Sequence, residues 1–390
     1  EDGIRDSSTS RGLGDVYKRQ INILFKNFFI ITMGLIVYCL VGFNLMYPGD
    51  FDIIGNGILG FAGPGLDAAA AADLSYNEGY TYWTDFLFQG MFAATAGTII
   101  SGAVAGRIKI NAFMLIVFLY ILIVYPIVGS WQWGGGFLST LTDEVGFYDF
   151  AGSTLVHSVG GWGGLVIIYL LGARKGKFDS SGKAVAIPGS NIPLSAAGVL
   201  ILWLGWFGFN GGSVLSADPA NTSLVLVTTC LAAAAGGLGA SFLSSLMYKN
   251  LDITMFMNGV LGGLVGITAG ADQMGPTSAI LIGAIGGAIV VLGVALLDKC
   301  KLDDPVGAIP VHLFAGIWGT LAVGLFGASS GFDQFMVQLA STGIVGAFCI
   351  VGAGIIALIV KSIMGLRVSD EEEEIGLDIS EHGTKAYFSS

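Results

Sequence analysis

The chain has 390 residues, a formal net charge of −11, 54% hydrophobic residues and only 12% charged residues. So many apolar residues with so few charges exclude an ordinary soluble domain. The acidic balance also excludes a nucleic-acid-binding protein, which needs a basic surface. The four cysteines are dispersed and form no C-x-x-C pair, so neither a disulfide framework nor a zinc site is predicted.

Residues 1–20, EDGIRDSSTSRGLGDVYKRQ, are polar and change abruptly to the apolar run that begins INILFKNFF. A signal peptide would show a short apolar stretch before a small-residue cleavage site, and this segment has none. Two explanations stay open: a disordered cytoplasmic tail, or foreign sequence fused to a truncated reading frame, which we favour. We therefore treat 1–20 as a leader outside the fold.

Ten apolar stretches follow, each of roughly the 17–25 residues that span a bilayer as a helix. The abundant glycine, 61 residues, is typical of helices that approach closely in lipid. The predicted fold class is an all-α polytopic membrane protein. The spans are expected at 22–46, 79–103, 111–129, 150–172, 194–214, 222–247, 254–270, 277–297, 309–327 and 336–361.

Lysine and arginine occupy alternate connections, whereas the intervening loops contain neither. Cytoplasmic loops carry the excess of basic residues, so the basic connections are predicted inside, and ten spans place both chain ends there. The basic set is Arg107, Lys109, Arg174, Lys175, Lys177, Lys183, Lys249, Lys299, Lys301, Lys361, Arg367 and Lys385; the loops without it are 47–78, 130–149, 215–221, 271–276 and 328–335.

Two of the three histidines, His157 and His312, lie inside predicted spans, each in a cassette V-H-x-x-x-G-x-x-G. An ionisable side chain in hydrocarbon is costly and indicates a functional site. One copy in each half of the chain favours a two-fold transporter or channel whose site lies where the halves meet. Structural polar groups between helices are the alternative for both histidines.

The last segment, 365–390, is charge-rich, with an acidic run at 370–374 and turn glycines at Gly365, Gly376 and Gly383. A solvated acidic patch is the plain interpretation of such a run. Five apolar residues nevertheless allow the segment to dock on the basic connections 174–183 and 299–301. They are Leu366, Val368, Ile375, Leu377 and Ile379.

Several motifs, in order, resemble the ammonium transporter family (Amt/Mep/Rh), specifically its Amt branch. They are FQGMF at 88–92, WGGG at 133–136, DFAGSTLVH at 149–157, WFGFNGGS at 206–213, DDP at 303–305 with VH at 311–312, and the tail GLRV…GLDISEHG…AY. The resemblance runs from about residue 21 to 387. It implies a pseudo-two-fold, five-plus-five inverted-repeat bundle in a homotrimer, with 21–364 as membrane domain and 365–390 as cytoplasmic regulatory tail.

Family members have eleven spanning helices with the N-terminus outside, whereas the charge pattern here gives ten with both ends inside. We expect that the first family helix is missing and that the leader replaces it. Two local departures accompany this one. Ala105-Gly106-Arg107 stands where relatives carry Ala-Glu-Arg, which removes a carboxylate from a local ion pair, and HGTKAY at 382–387 stands for HGE-x-AY.

The resemblance also implies roles for single residues. Trp133, Phe92 and Ser213, with Asp149 behind them, match the external ammonium-recruiting site. Phe92 and Phe209 match the stacked gate, and His157 and His312 match the twin pore histidines. Phe88 and Trp206 match pore-flanking aromatics.

Each of these residues has a plainer interpretation from the sequence alone. The phenylalanines would serve packing, and Trp133 would anchor an aromatic belt at the membrane interface. Asp149 would cap the helix that begins after it, because Asp is a preferred N-cap residue.

The predicted function is therefore nitrogen uptake: ammonium is recruited outside, deprotonated near the gate, and conducted as NH3, with or without a coupled proton, past the histidines into the cytoplasm. Methylammonium is a candidate substrate. No enzymatic activity, cofactor or metal is predicted; a PII-type signal protein is the partner implied at the cytoplasmic face of the plasma membrane. Two alternatives remain: an ammonium sensor with little flux, and a membrane protein with a bis-histidine haem.

Overall fold

The computed structural model describes residues 18–67, 69, 72, 75–142 and 145–387. Most of the predicted leader, residues 1–17, lies outside the described residues, as do parts of the loops 47–78 and 130–149. In the described part of the chain the secondary structure is helical apart from isolated β-bridges, such as Ile108 with Arg367.

Within the described residues ten apolar helices form a bundle, which confirms the predicted all-α multi-pass architecture. Nine are long and apolar enough to cross a membrane, and the seventh is shorter. The predicted spans recur with ends shifted by a few residues, as is usual. The helices are α1 Gln20–Met46, α2 Tyr82–Ala103, α3 Ile110–Ser130, α4 Ser153–Leu171, α5 Ile192–Gly212, α6 Pro219–Tyr248, α7 Ile253–Thr268, α8 Pro276–Lys299, α9 Ile309–Phe326 and α10 Phe332–Met364.

Several helices begin at the residue types that favour a helix N-terminus. The side chains of Thr81, Asn191, Asp218 and Asp252 each accept a hydrogen bond from a first-turn amide. Such capping replaces hydrogen bonds that the first turn cannot make internally. The helices α5, α6 and α8 also carry proline in the first turn, where no amide hydrogen is needed.

The helices α6, α7 and α8 pack closely through glycine. A Cβ atom added at Gly236 would lie 2.3 Å from the carbonyl oxygen of Gly259 in α7, and one at Gly287 would lie 2.0 Å from the carbonyl oxygen of Gly236. Only glycine permits backbones this close, which is how helices associate strongly in lipid. This packed triple supports α5 and α9, which carry site residues.

The two ends of the bundle differ in composition. We call the end with Arg107, Arg174 and Lys301 the basic end, and the end with Trp133 and Ser213 the aromatic end. At the basic end Arg107 is fully buried. Its guanidinium donates to the carbonyl oxygens of Ala103, Ala105, Gly172 and Asp303. Arg107 thus binds the ends of α2 and α4 together through backbone carbonyl oxygens.

The tail docks on this basic end. It contains two short helices, α11 Asp370–Ile375 and α12 Leu377–His382. Glu373, 1% exposed, accepts from Arg367 and from the Lys175 amide, and Glu374 pairs with Lys175 at 2.5 Å. The predicted contact of the acidic run with the 174–183 connection therefore forms within one chain.

Candidate functional site: a histidine pair behind stacked aromatic rings

Both intramembrane histidines lie in π-helical turns at the start of a helix. The turn Ser153–Ser158 opens α4 and contains His157, and the turn Ile309–Phe314 opens α9 and contains His312. A π-turn widens the helix by one residue, and such turns are frequent at functional sites. The two cassettes therefore share a local structure as well as a sequence pattern.

The Nδ1 atoms of the two histidines are 3.2 Å apart, and their ring centroids are 5.1 Å apart. One Nδ1 must carry the hydrogen and the other must accept it, so the two tautomers are coupled. The two rings then differ at Nε2. The ring with hydrogen on Nδ1 has an Nε2 acceptor, and the other ring has an Nε2–H donor. His157 Nε2 is buried and has no hydrogen-bond partner among the described residues, which marks a place for a small polar ligand.

An aspartate stands eight positions before each histidine, at 149 before 157 and at 304 before 312. The Asp149 carboxylate accepts from the amides of residues 152, 153, 154 and 155. The Asp304 carboxylate accepts from the amides of residues 306, 307 and 309. Each aspartate thus fixes the start of a histidine-bearing turn. Capping is part of what Asp149 does. From the sequence, Asp304 is only part of the DDP motif and has no predicted role.

The histidines line a cavity of about 650 Å³ that Trp206 and Phe209 also line. Trp206 lies nearly parallel to the His157 ring, with centroids 5.1 Å apart and planes 16° apart. Asn258 and Gly307 line the same cavity. The lining of this cavity contains no lysine, arginine or carboxylate among the described residues, so a bare cation would find little compensation there for lost hydration.

Two stacked phenylalanines close this cavity toward the aromatic end. The rings of Phe92 and Phe209 are 4.1 Å apart at 26°, and Phe209 lies 5.2 Å from His157. Phe92 is 2% exposed. The stack is continuous from Phe92 through Phe209 to the imidazole, and the ring pair lies between two cavities, one lined by Phe209 and the other by Phe92.

Beyond the ring pair lies a smaller cavity of about 140 Å³, lined by Phe88, Phe92, Trp133 and Ser213. The Trp133 indole donates to the Asp149 carbonyl oxygen at 3.0 Å, and the Ser213 hydroxyl donates to the Phe209 carbonyl oxygen. The Asp149 carboxylate lies behind this wall, occupied by the amides that it caps. Phe88 flanks this smaller cavity, whereas Trp206 flanks the larger one.

The basic end holds a buried ion pair, formed by Arg174 and Asp303, next to Asp304 in the sequence. Arg174 binds Asp303 through Nε at 2.8 Å and Nη2 at 2.9 Å. Burial alone would raise the pKa of Asp303, but the hydrogen bonds and charge of Arg174 outweigh it and hold that pKa below its usual value. Burial lowers the pKa of Arg107 to about 10, so Arg107 stays charged at neutral pH.

Comparisons with known proteins identify the family of the chain. The Ammonium Transporter Family model matches residues 13–387. A putative ammonium transporter of Synechocystis sp. is 43% identical over 94% of this chain and 82% of its own length, and ammonium transporter Amt2 of Archaeoglobus fulgidus is 40% identical over 95% and 82%.

Among solved structures, one titled Sensor Amt Protein superimposes with a TM-score of 0.85 at 32% identity, covering 95% of this chain and 93% of that one. Saccharomyces cerevisiae Mep2 gives 0.79 at 26% identity, covering 93% and 84%. The chain therefore belongs to the ammonium transporter family.

Proposed function

We propose that the chain recruits NH4+ in the cavity at the aromatic end and conducts NH3 past His157 and His312. The proton is given up at the Phe92–Phe209 barrier and either returns to solvent on the aromatic side or follows the NH3 through the histidine pair. The observation that carries the proposal is the Nδ1–Nδ1 hydrogen bond of 3.2 Å behind that barrier. It supplies the hydrogen-bonding groups that a neutral polar molecule needs inside an apolar space.

The small cavity suits a cation because its walls are aromatic. A cation over an aromatic ring gains about 0.5–2 kcal/mol, most when it is desolvated. Such ring contacts are offered by Phe92 and Trp133, whose ring centroids are 5.9 Å apart. The Ser213 hydroxyl oxygen in the same lining offers a hydrogen-bond acceptor. The gain is small beside the several kcal/mol that full desolvation of an ion costs. Recruitment followed by loss of the proton resolves that difference.

The histidine pair suits NH3 because the coupled tautomers present one acceptor and one donor. Ammonia can donate to the first and accept from the second without either ring becoming charged. A hydrated potassium ion finds no anionic group among the described residues of the same lining. Selectivity then follows from the proton that ammonium can lose and potassium lacks.

The positive-inside rule supports a cytoplasmic location for the basic end and for the tail docked on it. We further propose that the protein is a homotrimer in the plasma membrane and that its tail binds a PII-type signal protein, as the resemblance to the family implies. The contacts of Glu373 and Glu374 with the Arg174–Lys175 segment support the tail as a coupling element, since that segment follows α4, which carries His157.

A sensor with little flux is the second candidate, because one of the similar solved structures is titled a sensor protein. The bis-histidine haem is disfavoured by the geometry. Nitrogen atoms 3.2 Å apart in a mutual hydrogen bond leave no room for a metal between them, since each metal–imidazole bond takes about 2 Å.

The deciding experiment uses the full chain in proteoliposomes. An ammonium pulse should produce a saturable transport signal that an equal potassium pulse does not produce. Methylammonium is applied in parallel to define the substrate range. Ammonium binding by calorimetry without flux would overturn the transport proposal in favour of the sensor.

A further inference from the structure

The indole of Trp206 is hydrogen-bonded to a residue that does not line the histidine cavity. Its indole N–H donates to the Thr268 hydroxyl at 3.0 Å. Thr268 is the last residue of α7 and is fully buried, and Trp206 is 5% exposed. The hydroxyl is therefore the acceptor for the one polar atom of the ring that faces His157.

A buried chain of hydrogen bonds fixes that hydroxyl. The Thr268 hydroxyl has two acceptors within reach of its hydrogen. The Leu264 carbonyl oxygen is 2.7 Å from Thr268 Oγ1, and Asn210 Oδ1 is 3.2 Å from it. Asn210 Nδ2 donates onward to the Thr229 hydroxyl at 2.9 Å. The side chains of Asn210, Thr229 and Thr268 are all at 0% exposure. Satisfied buried networks of this kind rigidify the groups they contain.

The backbone at Thr268 also contacts the segment that carries His157. The Thr268 carbonyl oxygen accepts from the Ala151 amide at 3.1 Å, and the Ala269 carbonyl oxygen accepts from the Phe150 amide at 3.0 Å. Phe150 and Ala151 directly follow Asp149. One short stretch thus holds both the Trp206 ring and the start of the π-turn.

We propose that Thr268 is a positioning residue, which orients the Trp206 indole flat against the His157 imidazole and so contributes to ammonium selectivity. The proposal rests on the transport function proposed above. Thr268 does not line the histidine cavity; it acts through Trp206, 16° from parallel with the imidazole. Without the hydroxyl the indole N–H loses its partner, and the ring turns to find another.

The matched variants are Thr268→Val, which removes the hydroxyl at nearly constant shape, and Thr268→Ser, which keeps it. Thr228→Val is the control, because Thr228 is equally buried and donates to the Ala271 carbonyl oxygen at 2.7 Å, away from Trp206. We expect Thr268→Val to reduce the ratio of ammonium to potassium flux about fivefold, the factor that one net hydrogen bond supports. Thr268→Ser and Thr228→Val should keep the wild-type ratio.

A double-mutant cycle tests whether Thr268 acts through Trp206. In a Trp206→Phe background the indole N–H is gone, so Thr268→Val should produce no further change in the flux ratio. Full additivity of the two losses, or an equal loss in Thr228→Val, would overturn the positioning role and leave Thr268 as ordinary packing.

A measurement independent of transport separates this inference from the proposed function. In protein labelled with 5-fluorotryptophan, the fluorine resonance that disappears in Trp206→Phe belongs to Trp206. That resonance should shift or broaden in Thr268→Val and stay unchanged in Thr268→Ser and Thr228→Val. An unchanged resonance in Thr268→Val contradicts the inference, whereas absent ammonium flux in the wild type contradicts the transport proposal alone.

Discussion

The start of α4 and the start of α9 use one device in two different surroundings. In each, an aspartate eight positions before a histidine caps the π-turn that carries it. Asp149 binds four amides and lies behind Trp133, whereas Asp304 binds three amides and lies near the Arg107 charge. The shared device brings the histidines together, and the surroundings make the two ends of the bundle different.

That difference assigns different tasks to the two ends. In the proposed function the aromatic faces at one end receive the cation. At the other end Arg174 is paired with Asp303 and Arg107 is buried among backbone carbonyl oxygens, so that end is built for structure rather than for cation binding. Substitutions made in one region at a time test this difference.

The largest effect should come from the two aspartates. Asparagine has one acceptor oxygen, so Asp149→Asn leaves two buried amides unsatisfied, which costs about 3 kcal/mol. Asp304→Asn should cost less, because its carboxylate binds three amides and one of its oxygens binds a single amide. We expect the larger drop in melting temperature and in ammonium flux for Asp149→Asn. An equal or reversed order would show that the two caps are not graded by the number of amides they bind.

The barrier should come next. Phe209→Ala would join the 140 Å³ cavity to the 650 Å³ cavity, so water should enter the histidine space. Stopped-flow swelling of proteoliposomes measures the expected rise in water permeability. Phe242→Ala is the control, since Phe242 is 68% exposed on the outside of α6. Unchanged permeability in Phe209→Ala would place the water barrier elsewhere.

The smallest effects should appear in the tail, where two adjacent carboxylates differ in burial. Glu373→Gln weakens the buried contact with Arg367, so the tail should be cleaved faster in limited proteolysis. Glu374→Gln removes only a pair whose glutamate side chain is 68% exposed, and exposed pairs contribute little. Equal cleavage rates for the two variants would contradict docking through Glu373.

The sequence was sufficient for the helices because long apolar runs and alternating charged loops carry that information directly. It also paired His157 with His312, through the repeated cassette. It could not give the π-turns or the cap at Asp304, since Asp303 and Asp304 stand side by side and only the fold separates the Arg174 partner from the cap. The Trp206–Thr268 bond joins α5 to α7, and such contacts leave no local pattern. The roles of the site residues stay predictions.

The most direct test of the account is the ratio of ammonium to potassium flux in proteoliposomes containing His157→Gln or His312→Gln. Glutamine keeps a polar side chain but cannot reproduce the Nδ1–Nδ1 bond with its coupled tautomers. Because the histidines act as a pair, both variants should lower the ratio by a similar factor, about tenfold or more, while Thr228→Val keeps the wild-type ratio. A wild-type ratio in either histidine variant would contradict a selective histidine pair.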